Sequence, residues 1–292
     1  MKGLNGYAMS YKIYLFDALS PIEWSQAGWK LEGRTVDLNH CRIEFIHSVM
    51  FDHLPKEGLI VDAGCGVARW PLYLRQHGYR IFGLEFSHDA CLIAKENDAT
   101  LDVIRADVRR APLKDHSVDA VMSLGVVEHD EAGPLEALRE THRILKPGGT
   151  LILAVPYNNP LRRLLVNHLM TYMTRKRRRE HWKLGFAEYR FSGREVAGFL
   201  ERSGFETVAK YPNDLQPPKN MGLWVDYNNL IMNPFFPIDP EDLFILRGWS
   251  GRLAAALTRW TPWLVCGEVV FVAKARDQGI ERSRDPEQFP NP

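Results

Sequence analysis

The chain has 292 residues, 45% of them hydrophobic, enough to bury a large core within one elaborated domain. With 37 Lys and Arg against 36 Asp and Glu, the formal net charge is +1, so no global field draws it to nucleic acid or a membrane and any such contact must be local. The 4 cysteines (Cys41, Cys65, Cys91, Cys266) stand singly, which suits reduced thiols in a cytoplasm better than a disulfide framework.

Met1 to Asp17 mixes Lys, Asn, Ser and Asp among its apolar residues, unlike a cleavable signal segment, and no apolar run approaches the roughly eighteen residues of a membrane span. Tyr11 to Trp29 is aromatic and irregular, after which Leu38, Cys41, Phe45 and Val49 recur at helical spacing and predict a helix packed on a sheet. From Leu59 onward, short apolar runs alternate with amphipathic stretches, the pattern of a doubly wound parallel sheet with helices on both faces. A first strand starts at Leu59, and its crossover helix carries Pro71 in the opening turn and stops at Gly78. Arg80 to Leu84 is the second strand, Ser87 caps the next helix, and Leu101 to Arg105 is the third strand. Val118 to Ser123, the helix Leu135 to Leu145, the turn Lys146-Pro147-Gly148-Gly149 and the strand Thr150 to Val155 follow. Ser192-Gly193-Arg194-Glu195 is a capping box opening a helix that ends at Gly204, and strands Phe205 to Lys210 and Glu268 to Lys274 complete the series.

The chemistry concentrates where the first strand ends, at Asp62-Ala63-Gly64-Cys65-Gly66. Glycines at 64 and 66 remove the Cβ atoms that would hold a ligand away from main-chain N–H groups and from the helix N-terminus that follows. The second strand ends in Glu85, about twenty residues on, where a carboxylate can accept hydrogen bonds from ribose hydroxyls. A tight structural turn with solvated acids would need fewer coincidences than two acids at successive strand ends supply. A nicotinamide-binding turn also begins Gly-x-Gly, but its fingerprint wants Gly or Ala where this chain has Arg69.

Four blocks, VDAGCGVAR at 61–69, FGLEFS at 82–87, ADVRRAPLKDHSVDAVMSLGVVEH at 106–129 and ALRETHRILKPGGTLILAVP at 137–156, resemble the class I S-adenosylmethionine-dependent methyltransferases. Within them the likeness is to the group typified by ubiquinone- and menaquinone-pathway enzymes, over roughly residues 55 to 212 plus the last strand. The resemblance implies a Rossmann-like methyltransferase fold: a seven-stranded, mostly parallel sheet whose last strand is antiparallel, with S-adenosyl-L-methionine as cofactor. It assigns Asp62, Gly64 and Gly66 to the methionine end, Glu85 to the ribose hydroxyls, and Asp107 with Val108 to the adenine. The backbone around Ser123 and Leu124 would flank the other side, and Ala68 stands where a third glycine is common. Gly125-Val126-Val127-Glu128-His129 resembles a Glu-Val-Val-Glu-His segment that helps bind a divalent metal in related O-methyltransferases. Here Gly125 replaces the first acid, removing a charge and an oxygen ligand, so no metal is expected.

If the acceptor is a hydroxyl, a base gains roughly 10²–10⁴ in rate, and Glu128, His129 and Tyr157 are the candidates, although the first two can equally orient the segment they lie in. The expected organisation is a cap over 1–54, a core over 55–276 with acceptor-side insertions near 157–190 and 213–265, and a polar tail at 277–292. Tyr14, Trp24 and Trp29 are candidates for a lid in the N-terminal segment. Leu161, Leu164, Leu165 and Leu169 beside Arg175-Lys176-Arg177-Arg178-Arg179 could dock on an anionic membrane, an acidic substrate or RNA, or could be a solvated helix end. Trp224, Tyr227, Phe235, Phe236, Trp249, Trp260 and Trp263 either roof an apolar acceptor pocket or complete the core. The expected function is methyl transfer to a small or lipid-like acceptor at oxygen, nitrogen or carbon, with RNA the lesser partner. The alternative is a methyltransferase-like module without catalysis that binds RNA or a membrane through its basic segment.

Overall fold

The structure is a computed structural model, and it describes residues 10–16, 36, 38–180, 184–214, 238–239, 242–246 and 248–277. Its centre is a seven-stranded sheet built from β2 (Leu59–Ala63), β3 (Arg80–Glu85), β4 (Val103–Arg105), β5 (Val118–Leu124), β6 (Leu145–Pro156), β8 (Phe205–Asn213) and β11 (Glu268–Ala275). The spatial order is β4-β3-β2-β5-β6-β11-β8, and β11 runs antiparallel to both of its neighbours while the remaining pairs are parallel.

Because helices cover both faces, the strands are apolar almost throughout, and alternate residues feed two cores. Val61, Val121, Leu151, Leu153 and Phe271 face Ala137, Leu138, Val196, Phe199 and Leu200, on the helices Leu135–Ile144 and Gly193–Arg202. Ile60, Met122, Ile152, Ala154 and Val270 face Val49, Met50, Trp70 and Leu74, on the helices Ile46–His53 and Arg69–Gln76. The N-terminal stripe thus packs as its spacing predicts at Cys41 and Val49. Phe45, in the break between Asn39–Ile43 and Ile46–His53, turns outward instead.

The chain runs outward from β2 through β3 to β4 and then returns to β5 on the other side of β2, so the strand order reverses between β2 and β5. A crevice outside the carboxyl ends of strands at such a reversal is where ligands bind in this architecture. Two local features differ from the sequence-based expectation. β6 begins at Leu145, because Leu145 pairs with Val118 and the Lys-Pro-Gly-Gly segment is absorbed as an irregularity before Thr150 pairs with Ala120. In addition, β1 (Tyr11–Phe16), inside the stretch expected to be irregular, pairs antiparallel with β7 (Leu184–Arg190) from the first insertion. Phe191 N–H donates to Pro156 O and Asn158 N–H donates to Phe191 O, so this ribbon is anchored at the carboxyl end of β6.

Candidate active site

The loop after β2 has positive φ at Gly64 (83°), Gly66 (55°) and Ala68 (62°). Gly64 is required twice over, since a Cβ there would also collide with the side chain of Val126 in the segment after β5. Ala68, fully buried, takes the left-handed conformation that the absent third glycine would take without strain. Gly64 N–H and Cys65 N–H donate to Leu84 O, tying the loop to β3.

Glu85, at the end of β3, is buried and holds the loop in shape. Its Oε2 accepts from Gly66 N–H at 2.8 Å and its Oε1 from Ser87 N–H at 2.7 Å. Each oxygen keeps a lone pair for a further donor, such as one hydroxyl of a vicinal diol. Asp62 is buried beside it, and burial followed by the Glu85 charge pushes its carboxyl up to about 7, an effect that Arg69 offsets only in part. Two carboxyl groups crowded around one glycine loop form a set of acceptors that a cationic ligand carrying a vicinal diol would satisfy.

Asp107 follows β4, next to Ala106, whose N–H donates to Glu85 O. Its carboxylate is gripped by the Arg109 guanidinium, which lowers it from the ordinary range, and Arg109 also reaches Asp130 at 3.1 Å. Arg109, which sequence reasoning missed, therefore links Asp107 to Asp130 in the loop after β5. Val108 is half-buried against the core, Ser123 is buried within β5, and Leu124 is half-buried at its end.

A second polar group lies past β5. Glu128 is 1% exposed and its Oε2 has no hydrogen-bond partner among the described residues. Burial, reinforced by Glu188 and Glu268, holds its carboxyl well above the usual range, so the neutral acid is favoured. His129 Nδ1 donates to Ala187 O of β7 at 2.8 Å, which orients the ring so that Nε2 lies 3.9 Å from Glu128 Oε1. Gly125, where related segments carry an acid, has φ of 69° and lies open toward Glu128.

From the ribbon comes Arg190, fully buried, with Glu188 3.5 Å from its Nε and neither Nη1 nor Nη2 partnered among the described residues. Arg162 is buried nearby, and its Nη1 donates to the carbonyls of both Tyr157 and Gly267. Burial beside Arg190 pulls its guanidinium down to about 9, still a cation at neutral pH. Tyr157 is half-buried with its ring against Trp263, and burial raises its phenol. Glu188, Arg190 and Arg162 carried no local motif; only the burial of charged residues in an insertion marks them.

The aromatic expectation for the second insertion needs correction. Trp263 packs inward, whereas Trp249 and Trp260 are exposed on the helix Gly248–Trp260 and do not complete the core. Trp224, Tyr227, Phe235, Phe236, Trp24 and Trp29 lie outside the described residues, and Tyr14 is described only as part of β1.

Residues 61–153 match the sequence family described as "Methyltransferase domain". The chain is 34% identical over 95 residues to a malonyl-acyl-carrier-protein O-methyltransferase of Pectobacterium atrosepticum, a stretch covering 32% of this chain and 37% of that protein. It is 30% identical over 112 residues to a demethylmenaquinone methyltransferase of Staphylococcus epidermidis, covering 36% and 46% respectively. The chain thus spans less than half the length of these curated relatives. Among solved structures, a chain from the complex between the Haloferax volcanii Trm112 methyltransferase activator and a methyltransferase superposes with TM-score 0.57 at 23% identity, over 88% of this chain and 98% of that one, a likeness of fold. Among the described residues, no helix is long and apolar enough to cross a membrane.

Proposed function

We propose that the chain, whose residues 61–153 match a methyltransferase domain, is a class I S-adenosylmethionine-dependent methyltransferase that transfers a methyl group to a small or lipid-like organic acceptor bearing a polar oxygen. The observation that carries this reading is the pair of buried carboxylates, Asp62 and Glu85, around a loop whose glycines keep the backbone bare. Asp62 would meet the ligand's ammonium, Glu85 its ribose hydroxyls, and Asp107 with Val108 its adenine, with Ser123 and Leu124 closing the other side. When bound, S-adenosylmethionine supplies a methyl made electrophilic by its sulfonium sulfur. What remains for the protein is to hold the nucleophile in line with the S–CH₃ bond and to exclude water.

The acceptor side supports oxygen chemistry. His129 Nε2 is oriented by the Nδ1 bond to Ala187 and can accept a proton from a hydroxyl. Glu128, as a neutral acid with a free Oε2, can donate to an acceptor oxygen. Arg190, with two unpartnered nitrogens, suits a carboxylate or carbonyl on the same molecule. Tyr157 lines this rim, and no metal enters the proposal. The relatives named for demethylmenaquinone and for malonyl-acyl-carrier protein are consistent with such an acceptor.

The test is incubation of the purified chain with methyl-labelled S-adenosylmethionine and cell extract, followed by partition into organic solvent. Label in the organic phase is the expected result. Cofactor binding without transfer to any fraction would overturn the enzyme reading, and transfer to RNA would overturn the acceptor class alone.

A further inference from the structure

Both insertions leave and rejoin the sheet at one edge. β6 ends at Pro156, β8 ends at Asn213, and β11 begins at Glu268, which pairs with both residues. That is the carboxyl edge, where the glycine loop and Glu85 also lie.

In the first insertion a π-helical turn (Arg162–Val166) leads into the helix Asn167–Arg179. Its inward face is settled by Arg162, Val166 and Met170, which are buried at successive turns. The outward stripe, Leu165, Leu169 and Tyr172, is also apolar, and together with Leu164 these side chains are 58% to 70% exposed. One and two turns further along the same stripe come Lys176 and Arg179, flanked by exposed Arg175 and Arg178. In the second insertion, the helix Gly248–Trp260 exposes Trp249, Leu253, Ala256 and Trp260 at helical spacing, with Trp260 at 81%. Arg252 and Arg259 sit beside this stripe. No acidic residue occurs between 160 and 179 or between 248 and 267.

Cations at a helix C-terminus offset its dipole, which accounts for Arg175 to Arg179 alone. It does not account for four exposed large apolar side chains beside them, nor for a second helix with the same composition at the same edge. Leucines flanked by Trp and Tyr, with only cations among the charges, fit the boundary between lipid headgroups and acyl chains. A phosphodiester strand would use the arginines and leave the leucines wet. We infer that the outward stripes of 164–179 and 249–260 together form a docking surface for an anionic lipid bilayer, which would hold the mouth of the proposed active site against the membrane. The inference stands apart from the methyl-transfer reading and can fail without it.

Sedimentation of the full chain with vesicles of phosphatidylcholine, alone or mixed with phosphatidylglycerol, tests this surface. Expected is binding to the anionic vesicles, weakened by salt, and lost by tenfold or more in Leu165→Gln/Leu169→Gln/Trp249→Gln/Trp260→Gln. Neutralising Arg175, Lys176 and Arg179 to Gln lowers partitioning by about fivefold per charge. The single variants Leu169→Gln and Trp260→Gln, at strongly exposed positions, each reduce binding without changing the thermal unfolding midpoint. Absence of vesicle binding, binding indifferent to the apolar substitutions, or a dimer in solution that the same substitutions dissociate would each overturn the inference.

Discussion

The proposed cofactor side and the proposed acceptor side of the sheet's carboxyl edge are assembled in opposite ways. The cofactor side is local: Asp62, Gly64, Gly66 and Glu85 lie within one strand-loop-helix-strand unit, and backbone hydrogen bonds from Gly64, Cys65 and Gly66 close it on itself. The acceptor side is assembled from distant parts. Glu128 meets Glu188 and Glu268, His129 is oriented by Ala187 of β7, and β7 needs β1 from the far end of the chain as its partner. The family match at 61–153 takes in Asp62, Gly64, Gly66 and Glu85 together with Glu128 and His129, but none of the later residues, such as Ala187, Glu188, Arg190 and Glu268, that surround those two, as expected if the first side binds one invariable ligand and the second chooses among many.

Four substitutions sharpen or break that division. His129→Gln should lower kcat by roughly 10²–10⁴ with little change in cofactor affinity, read by single-turnover kinetics alongside calorimetry. A matching loss of cofactor binding would erase the boundary between the two sides. Asp62→Asn removes the charge proposed to face the ligand's ammonium and should weaken binding by about 10²–10³-fold, the cost of breaking a buried ion pair. The same change should stabilise the unliganded protein, with a sign that pH reveals. Asp62 keeps its proton in the fold up to about 7 but loses it near 3.8 when unfolded, so wild-type stability falls as pH rises across that window. In Asp62→Asn the fall is absent, and melting curves at pH 4 and pH 8 would diverge less than in the wild type.

Glu85→Ala should raise the cofactor dissociation constant tenfold or more, since charge-assisted hydrogen bonds contribute about 1.5–3 kcal/mol each. Unchanged affinity would remove Glu85 from the ribose role. The smallest effect is Ala68→Gly, which relieves a left-handed alanine and should stabilise the fold by about 1 kcal/mol, measured by denaturant unfolding. A loss of stability would mean that the alanine's contacts outweigh its strain.

What could be read from the chain follows the same division. The capping box at Ser192 and Glu195 forms as its spacing predicts, with both reciprocal bonds, and Ser87 caps its helix by accepting from Ala90 N–H. Such features depend on neighbours three residues apart, so sequence carries them. The order along the chain of the seven apolar strands of the sheet and their helices is legible for the same reason. β1 was not, because Tyr11–Phe16 becomes a strand only by pairing with Leu184–Arg190, and the stretch itself lacks period-two alternation. Nor could the state of Glu128 be read, since its elevated carboxyl depends on burial and on acids remote in sequence. Arg190 is the extreme case, a charged residue in a strand whose complete burial follows from tertiary packing alone.

The single guanidinium nitrogen of Arg162 touches the carbonyl of Tyr157, where one excursion departs, and that of Gly267, where the other returns. It works as a rivet through the base of both. Transplanting either excursion onto a related scaffold would strand that rivet's second partner, so the two have to be exchanged as one cassette with Arg162 included.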